Sequence, residues 1–303
     1  MSDVPRPRAL ALVSWVVMLS GATPSLEAPW GTHGHEIAAR AAAATLPQDM
    51  PVFFREATDQ LVYLDPEPDR WRSRALNEMD RAWYFDHYID LENVPQAALD
   101  APHRFAYLRA LYEAGLDEPE GDGGFLPFRI VELQQRLVSG WQRWHRESNP
   151  QRRTWIEARI INDAGILGHY VTDASQPHHT TIHFNGWAAE AANPEGFTED
   201  RDFHSRFESG FVDEHVTLED IASRLPNTPR SIAGEARPHV IGFLLATHEE
   251  VEALYRIERD VGFDPNRPAH PEAASFAADR LAAGAGFLAT LWWSAYLEGR
   301  DGG

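Results

Sequence analysis

The stretch RRTWIEARIINDAGILGHYVTDA, residues 152–174, decides the fold class of this chain. Its apolar residues recur every three or four positions, which is the period of an amphipathic α-helix. The same period recurs in other parts of the chain, whereas alternation of apolar and polar residues over strand lengths is nearly absent. The sequence therefore predicts an all-α fold, a single-domain multi-helix bundle.

Seven further segments have helical periodicity and complete the predicted bundle. They are residues 34–46, 51–64, 105–114, 128–147, 203–215, 232–261 and 271–296. Glycine, proline, aspartate and asparagine collect at residues 65–69, 116–124, 176–177, 185–202 and 264–271, which predicts loops there. None of these loops has the composition of a flexible linker, so residues 30–303 are predicted to form one domain.

The composition of the 303 residues narrows the possible chemistry. The chain has no cysteine, which excludes disulfides, thiolate nucleophiles and cysteine-ligated metals, so any zinc must be bound by histidine and carboxylate. A formal net charge of −19 argues against a stable complex with duplex nucleic acid. It permits a phosphate substrate, because bound divalent cations would reverse the charge locally. Neither a transmembrane segment nor a protein partner is predicted.

The N-terminus is typical of a secretory signal peptide. Arg6 and Arg8 precede the apolar run ALALVSWVVMLSG at residues 9–21, and small residues follow it. The alternative is a short N-terminal helix of the folded domain. The signal-peptide interpretation predicts a secreted or periplasmic protein, in which residues 1–29 are the signal peptide and the segment before Trp30.

Histidines and carboxylates recur at spacings that suit metal binding. His169 and Asp173 lie one helical turn apart in the predicted helix 152–174, so both side chains can reach one ion. His204 and Glu208 repeat this spacing in FHSRFE. Pro177 is expected to end the helix and to bring one of the two histidines that follow it back toward the first pair. An isolated pair of this kind is mostly structural, but the combination is more specific.

These motifs resemble those of a known family. HYVTDASQPHH, residues 169–179, followed by FHSRFE resembles the H-x3-D-x5-H and H-x3-[DE] signature of the zinc-dependent phospholipase C and single-strand-specific nuclease superfamily. The match selects His179 and not His178. WGTHGH at residues 30–35 resembles the family's mature N-terminus, and GFLATLWWSAY at residues 286–296 resembles its last helix.

The resemblance implies a zinc-dependent hydrolase of phosphoric diesters that contains three zinc ions, where a zinc-activated water attacks the phosphodiester. It implies Asp69 and Asp173 as catalytic residues, and Asp65 stays an alternative to Asp69 as a ligand. The implied ligands of the three ions are, in turn, Asp69, His87, His169 and Asp173; the backbone of Trp30 with His35 and the second oxygen of Asp173; and His179, His204 and Glu208.

Phospholipid and single-stranded nucleic acid are both open as substrates. Glu208 within FHSRFESGFVD resembles the phospholipase branch, because the nuclease branch usually has aspartate there in an N-L-H-x2-W-D pattern that this chain lacks. His33 stands where the best-known phospholipases have a glutamate that faces choline, although Tyr84 keeps an aromatic residue near His87. The sequence thus favours a phospholipase C-like enzyme with an open head-group preference. The alternatives are a single-strand-specific endonuclease or 3′-nucleotidase, and a non-catalytic zinc-binding protein whose coordination positions are all closed.

The mature N-terminus can be tested by sequencing exported protein. Pro29 is a poor residue immediately before a signal-peptidase cut, whereas cleavage after Ala22 fits the small-residue rule. We expect sequencing to read from Thr23 if the peptidase alone sets the end, and from Trp30 if trimming follows. A start at Trp30 supports the full set of three zinc sites. A start at Thr23 contradicts it, because Trp30 would then lack the free amine that the resemblance implies as a ligand.

Overall fold

The computed structural model describes residues 31–232 and 234–302, and within these ranges the regular structure is helical. The only β-type pairing in this part of the chain is an isolated bridge between Phe184 and Gly186. The prediction of an all-α, multi-helix fold is therefore confirmed. The predicted signal peptide and Trp30 lie outside the described residues.

Sixteen α-helices follow one another in the described ranges, joined by short helical turns. The α-helices are α1 (Gly31–Ala44), α2 (Val52–Arg55), α3 (Thr58–Leu64), α4 (Glu67–Arg70), α5 (Asn77–Trp83), α6 (Gln96–Leu99), α7 (Arg104–Glu113), α8 (Pro119–Gly123), α9 (Leu126–Arg146), α10 (Pro150–Asp173), α11 (Phe203–Ser205), α12 (Val212–His215), α13 (Leu218–Ala222), α14 (Ala236–His248), α15 (Val251–Asp260) and α16 (Pro271–Asp301). The 3₁₀ helices are Arg74–Leu76, Tyr84–His87, Leu91–Asn93 and Pro177–Thr180, and Arg206–Phe211 is a π-helical segment.

Four helices form the centre of the bundle. Helix α9 packs against α10 and α16, and α1 packs against α16, α10 and α3. Trp141 of α9 and Trp292 of α16 are both buried at the centre. The indole nitrogen of Trp292 donates a hydrogen bond of 3.1 Å to the carbonyl of Ala164 in α10, so its polar atom is satisfied inside the core. The shorter helices pack around this centre, and α10 carries metal-ligand candidates at its C-terminal end.

Two predicted helices are each divided in the structure. Residues 51–64 form α2 and α3, with a break between Arg55 and Thr58, and residues 232–261 form α14 and α15, with a break after His248. Neither break contains a glycine or proline, so no residue at either break indicates that the helix ends there. Tertiary packing explains the second break, because α14 lies against α9 whereas α15 lies against α16.

The predicted loops are partly helical. Helix α4 occupies the end of the predicted loop 65–69, and α8 lies within 116–124. Residues 185–202 contain no helix, as predicted, and are tied together by internal hydrogen bonds. The Trp187 amide donates to the Thr198 carbonyl at 2.7 Å, and the side chain of Asn193 bonds both backbone groups of Phe197 at 2.8 and 2.9 Å. This loop is therefore an ordered part of the structure.

No helix in the described ranges is both long and apolar enough to span a lipid bilayer.

The contact between α16 and α9 can be tested at Gly299. A Cβ atom there would lie 2.3 Å from the Cβ of Trp141 and 3.1 Å from the carbonyl oxygen of Val138, and neither atom can move without shifting α9. We expect Gly299→Ala to lower the free energy of unfolding by about 1–3 kcal/mol through overpacking. Gly242→Ala is the matched control, because Gly242 lies in α14 and a Cβ there meets nothing within 4 Å. The free energy of unfolding of the control should rise by about 0.4–1 kcal/mol. Urea unfolding measures both changes. Equal effects of the two changes would contradict the close packing.

Candidate metal centre

The last turn of α10 places two metal-ligand candidates inside the protein. His169 and Asp173 are one turn apart, and both side chains are fully buried. The Nε2 atom of His169 lies 3.3 Å from Oδ2 of Asp173, so the two groups face the same point, as their spacing predicts.

Asp173 directs its two oxygens toward different histidines. Oδ2 lies 3.0 Å from Nδ1 of His87, which ends a 3₁₀ helix, and 3.3 Å from His169. Oδ1 lies 3.5 Å from Nε2 of His35 in α1. The ring of His35 stacks on that of His169 with centroids 4.2 Å apart. One carboxylate thus connects three imidazoles that come from distant parts of the chain.

Asp69 completes a group on the side of Asp173 that faces His87. Its Oδ1 atom lies 3.7 Å from Nε2 of His169 and 4.0 Å from Nδ1 of His87. Two sets of potential ligand atoms meet here among the described residues. One is His35 with His169 and Asp173, and the other is Asp69 with His87 and His169. Within each set, all the ligand atoms lie within 4.8 Å of one another.

A third group of potential ligands lies beyond the end of α10. Oε1 of Glu208 lies 3.2 Å from Nε2 of His179 and 2.7 Å from Nε2 of His204. His179 follows the turn at Pro177, as predicted, and its Nδ1 bonds the carbonyl of His87 at 2.6 Å. Glu208 lies in the π-helical segment, a helix type that is rare and is frequent at functional sites.

The structure therefore brings together all eight candidate ligands that it describes. They are His35, Asp69, His87, His169, Asp173, His179, His204 and Glu208. The ninth candidate, Trp30, lies outside the described residues.

Burial and neighbouring charges set the protonation of the first two groups. Burial lowers the pKa of His169 well below its usual range, and burial lowers that of His87 to about 4 although Asp173 opposes it. Burial would raise the pKa of Asp173, but the surrounding imidazoles outweigh it and hold this pKa well below the usual value. Two neutral imidazoles beside an ionised carboxylate are the protonation states that bind a metal.

The third group and Asp69 differ in their electrostatics. Burial lowers the pKa of His179, but Asp173 and Glu208 outweigh this effect and raise the pKa to about 9. Burial would raise the pKa of Glu208, but the facing imidazoles hold it far below its usual value. Burial raises the pKa of Asp69 to about 7. In the absence of a cation, His179 and Glu208 form an ion pair, and Asp69 is partly protonated near neutral pH.

Unpaired buried atoms show that these groups fit metal ions. Within the described structure, four of the buried atoms that face these groups make no hydrogen bond of acceptable geometry: Asp69 Oδ1, Asp173 Oδ1, His179 Nε2 and His204 Nε2. Each unsatisfied buried polar group costs about 1–3 kcal/mol. A bound cation would satisfy several of them together, and nitrogen and oxygen donors without sulfur suit zinc.

A cleft of about 150 Å³ opens beside the groups. The candidate ligands His87, His179, His204 and Glu208 line it, together with Arg72, Tyr84, Tyr88, Asp90, His178 and Phe184. Tyr84 and Phe184 are 40% and 42% exposed, so the cleft has exposed aromatic surface. The guanidinium of Arg72 lies 5.1 Å from the ring centre of Tyr84 and 3.6 Å from Oδ1 of Asp69.

Sequence reasoning missed several residues around the site. Arg72 and Asp90 line the cleft, and Asp65 bonds His35 directly. The sequence presents Asp65 only as an alternative to Asp69 as a ligand, and it is absent from every set of potential ligands in the described ranges. Its spacing of one helical turn from Asp69 was the available signal, but spacing cannot say which of two carboxylates faces the ion.

Comparisons with known proteins do not identify the chain. No protein-family model matches it, and no curated protein matches it either. The relationship to the phospholipase C and nuclease superfamily therefore remains a hypothesis that rests on the motifs and their arrangement.

The pH dependence of stability can be tested at Asp90. Burial, together with Glu92 and Asp122, raises the pKa of Asp90 to about 7. The folded state then keeps a proton that the unfolded chain releases above about pH 4, so this contribution to stability is lost as the pH rises through about 7. We compare the free energy of unfolding of metal-stripped Asp90→Asn with that of the metal-stripped wild type. We expect this difference to shift by about 1–3 kcal/mol in favour of the variant between about pH 5 and pH 8.

Urea unfolding at both pH values measures this difference. Asp59→Asn is the control, because the side chain of Asp59 is 91% exposed. Its replacement should change the free energy of unfolding by the same amount at both pH values. An equal effect of Asp90→Asn at the two pH values would contradict the raised pKa.

Proposed function

We propose that this protein is an exported phosphodiester hydrolase of the phospholipase C and single-strand-specific nuclease superfamily, phospholipase C-like and dependent on three zinc ions. One observation carries the proposal: the two oxygens of the buried Asp173 face separate groups of histidines, with a third group immediately beyond them. This arrangement is consistent with a carboxylate that bridges two ions, as the motif resemblance implies.

The residues present support zinc more than other common metals. Five of the eight described candidates are imidazoles, and the remaining three are carboxylates. Magnesium and calcium prefer oxygen ligands, whereas zinc is commonly bound by imidazole with carboxylate. When bound, zinc supplies a nucleophilic water near neutral pH and stabilises charge on phosphoryl oxygens.

The side chains of the site would have separate roles in proton transfer and in substrate binding. Oδ1 of Asp69 faces His169, so its Oδ2 is the atom we assign to accept a proton from the attacking water. His179 is held by the His87 carbonyl, and Glu208 by a 2.7 Å hydrogen bond from Gln176. These bonds orient the third group beside the cleft, where these residues would hold the ion that helps to bind the phosphate and to stabilise the leaving oxygen.

The cleft supports a substrate with one phosphodiester beside an apolar or aromatic group. Arg72 provides a cation in its lining, and Tyr84 and Phe184 provide exposed aromatic surface. The net charge of −19 disfavours a long polyanion, which supports phospholipid over nucleic acid. The alternative is a single-strand nuclease or 3′-nucleotidase, and the same aromatic rings support it because they could stack on a base.

A paired turnover assay on exported protein separates these candidates. It compares phosphatidylcholine and related phospholipids with single-stranded RNA and DNA, each with and without a chelator. We expect chelator-sensitive release of diacylglycerol. Chelator-sensitive release of nucleotides would assign the protein to the nuclease alternative, and zinc binding without turnover of either substrate would favour a non-catalytic zinc protein.

The role of Asp173 is tested in the same assay. We expect Asp173→Asn to lose zinc loading and turnover together, because the amide carries no charge and cannot bridge two cations. Glu157→Gln is the control on the same helix, since Glu157 bonds the indole of Trp144 and is far along α10 from Asp173. Full activity of Asp173→Asn would overturn the scheme.

A further inference from the structure

Asp65 is a buried carboxylate that has no role in the proposed reaction. It caps the C-terminal end of α3, its side chain is fully buried, and Oδ1 lies 2.8 Å from Nδ1 of His35. Oδ2 has no hydrogen-bond partner among the described residues. Placing a carboxylate in the interior is costly unless a charged or hydrogen-bonding group compensates, so a role for this residue needs explanation.

The contact with Asp65 fixes how the ring of His35 is used. The two ring nitrogens point to opposite edges of the imidazole, and Nδ1 faces Asp65 whereas Nε2 faces Oδ1 of Asp173 at 3.5 Å. A carboxylate at Nδ1 requires the proton there, because a carboxylate only accepts hydrogen bonds. The lone pair of a neutral His35 is then on Nε2, the atom that faces Oδ1 of Asp173.

The geometry points to Asp65 as a positioning residue for the metal site of His35, in the carboxylate–histidine–metal arrangement, and not as a metal ligand. This inference rests on the proposed function, since it assumes an ion at Nε2 of His35. Hydrogen bonds of this kind select the tautomer, orient the ring and raise the basicity of the ligand nitrogen. Asp65 also adds a negative charge to those of Asp69, Asp173 and Glu208, which partly balances the charge of buried cations.

Helix α10 leaves the space that the carboxylate of Asp65 needs. A Cβ atom at Gly168 would lie 2.1 Å from Oδ2 of Asp65 and 3.0 Å from its Cγ. Glycine at this position therefore allows Asp65 to approach the helix that carries His169. A side chain at Gly168 would displace the carboxylate from His35 without changing any proposed ligand, which gives a second way to disturb the contact.

The two roles of Asp65 predict different results on zinc titration of the full chain. A ligand would be lost with its ion, so Asp65→Asn would bind one zinc fewer. A positioning residue would leave the stoichiometry unchanged, and the affinity for one of the zinc ions would fall about 10–100-fold. We expect the second result, measured by competition with a chromophoric chelator and by metal content.

Nitrogen-15 NMR of His35 provides a readout that does not depend on turnover. In the wild type, the shifts should report a proton on Nδ1, and zinc should perturb Nε2. In Asp65→Asn, we expect a mixture of tautomers or an altered Nδ1 signal in the metal-free protein. Gly168→Ala should reproduce the loss of zinc affinity.

The control variant is Asp163→Asn. Asp163 is another buried carboxylate of α10, but it pairs with Arg136 at 2.8 Å and with Arg159 at 3.4 Å. We expect this change to lower stability while zinc affinity and the His35 signals remain as in the wild type. A loss of zinc affinity in all three variants would indicate a general loss of folding and would overturn the inference.

Two further results would overturn the positioning role while the proposed function stands. They are a stoichiometry reduced by one zinc, and unchanged zinc affinity together with an unchanged His35 tautomer in Asp65→Asn. If the wild type binds no zinc at all, the proposed function itself fails, and the inference fails with it.

Discussion

The burial of Asp173 is the constraint on which the arrangement of the site depends. Its carboxylate is completely enclosed, and its oxygens contact imidazoles of His35, His87 and His169 that are carried by three different segments. A buried charge is tolerated only when its surroundings supply compensating groups. The segments that carry these histidines must therefore meet at the end of α10, and this requirement brings α1 and the 3₁₀ helix Tyr84–His87 to that point.

The same constraint couples metal binding to stability. Several ligand atoms of the groups around Asp173 lack hydrogen-bond partners, so the protein without metal retains unfavourable buried atoms that a cation would satisfy. Binding of a cation at such a site would stabilise the folded state. The tightly packed bundle around α10, with Trp292 bonded to the carbonyl of Ala164, provides the rigid support that this arrangement needs.

The sequence was most informative where candidate ligands lie one helical turn apart. His169 with Asp173 in α10, and His204 with Glu208 across the junction of α11 and the π-helical segment, could be paired from their spacing of four residues, because helical geometry fixes which residues share a face. The identities of His35, Asp69 and His87 came instead from a resemblance between motifs. Helix ends were less predictable, and the break between α14 and α15 arises from packing against different partners, with no local signal in the residues.

The all-α class, the nitrogen and oxygen donors of a cysteine-free site and the pairs of candidate ligands four residues apart could all be predicted from the residues alone. These properties follow from residue type and from spacing over a few positions. The tertiary structure was needed to show that Asp173 faces two groups, and that Asp65 bonds His35 while Asp69 faces His169. The physical reason is distance along the chain: His87 and Asp173 are 86 positions apart, and they meet only because the helices between them pack into one core.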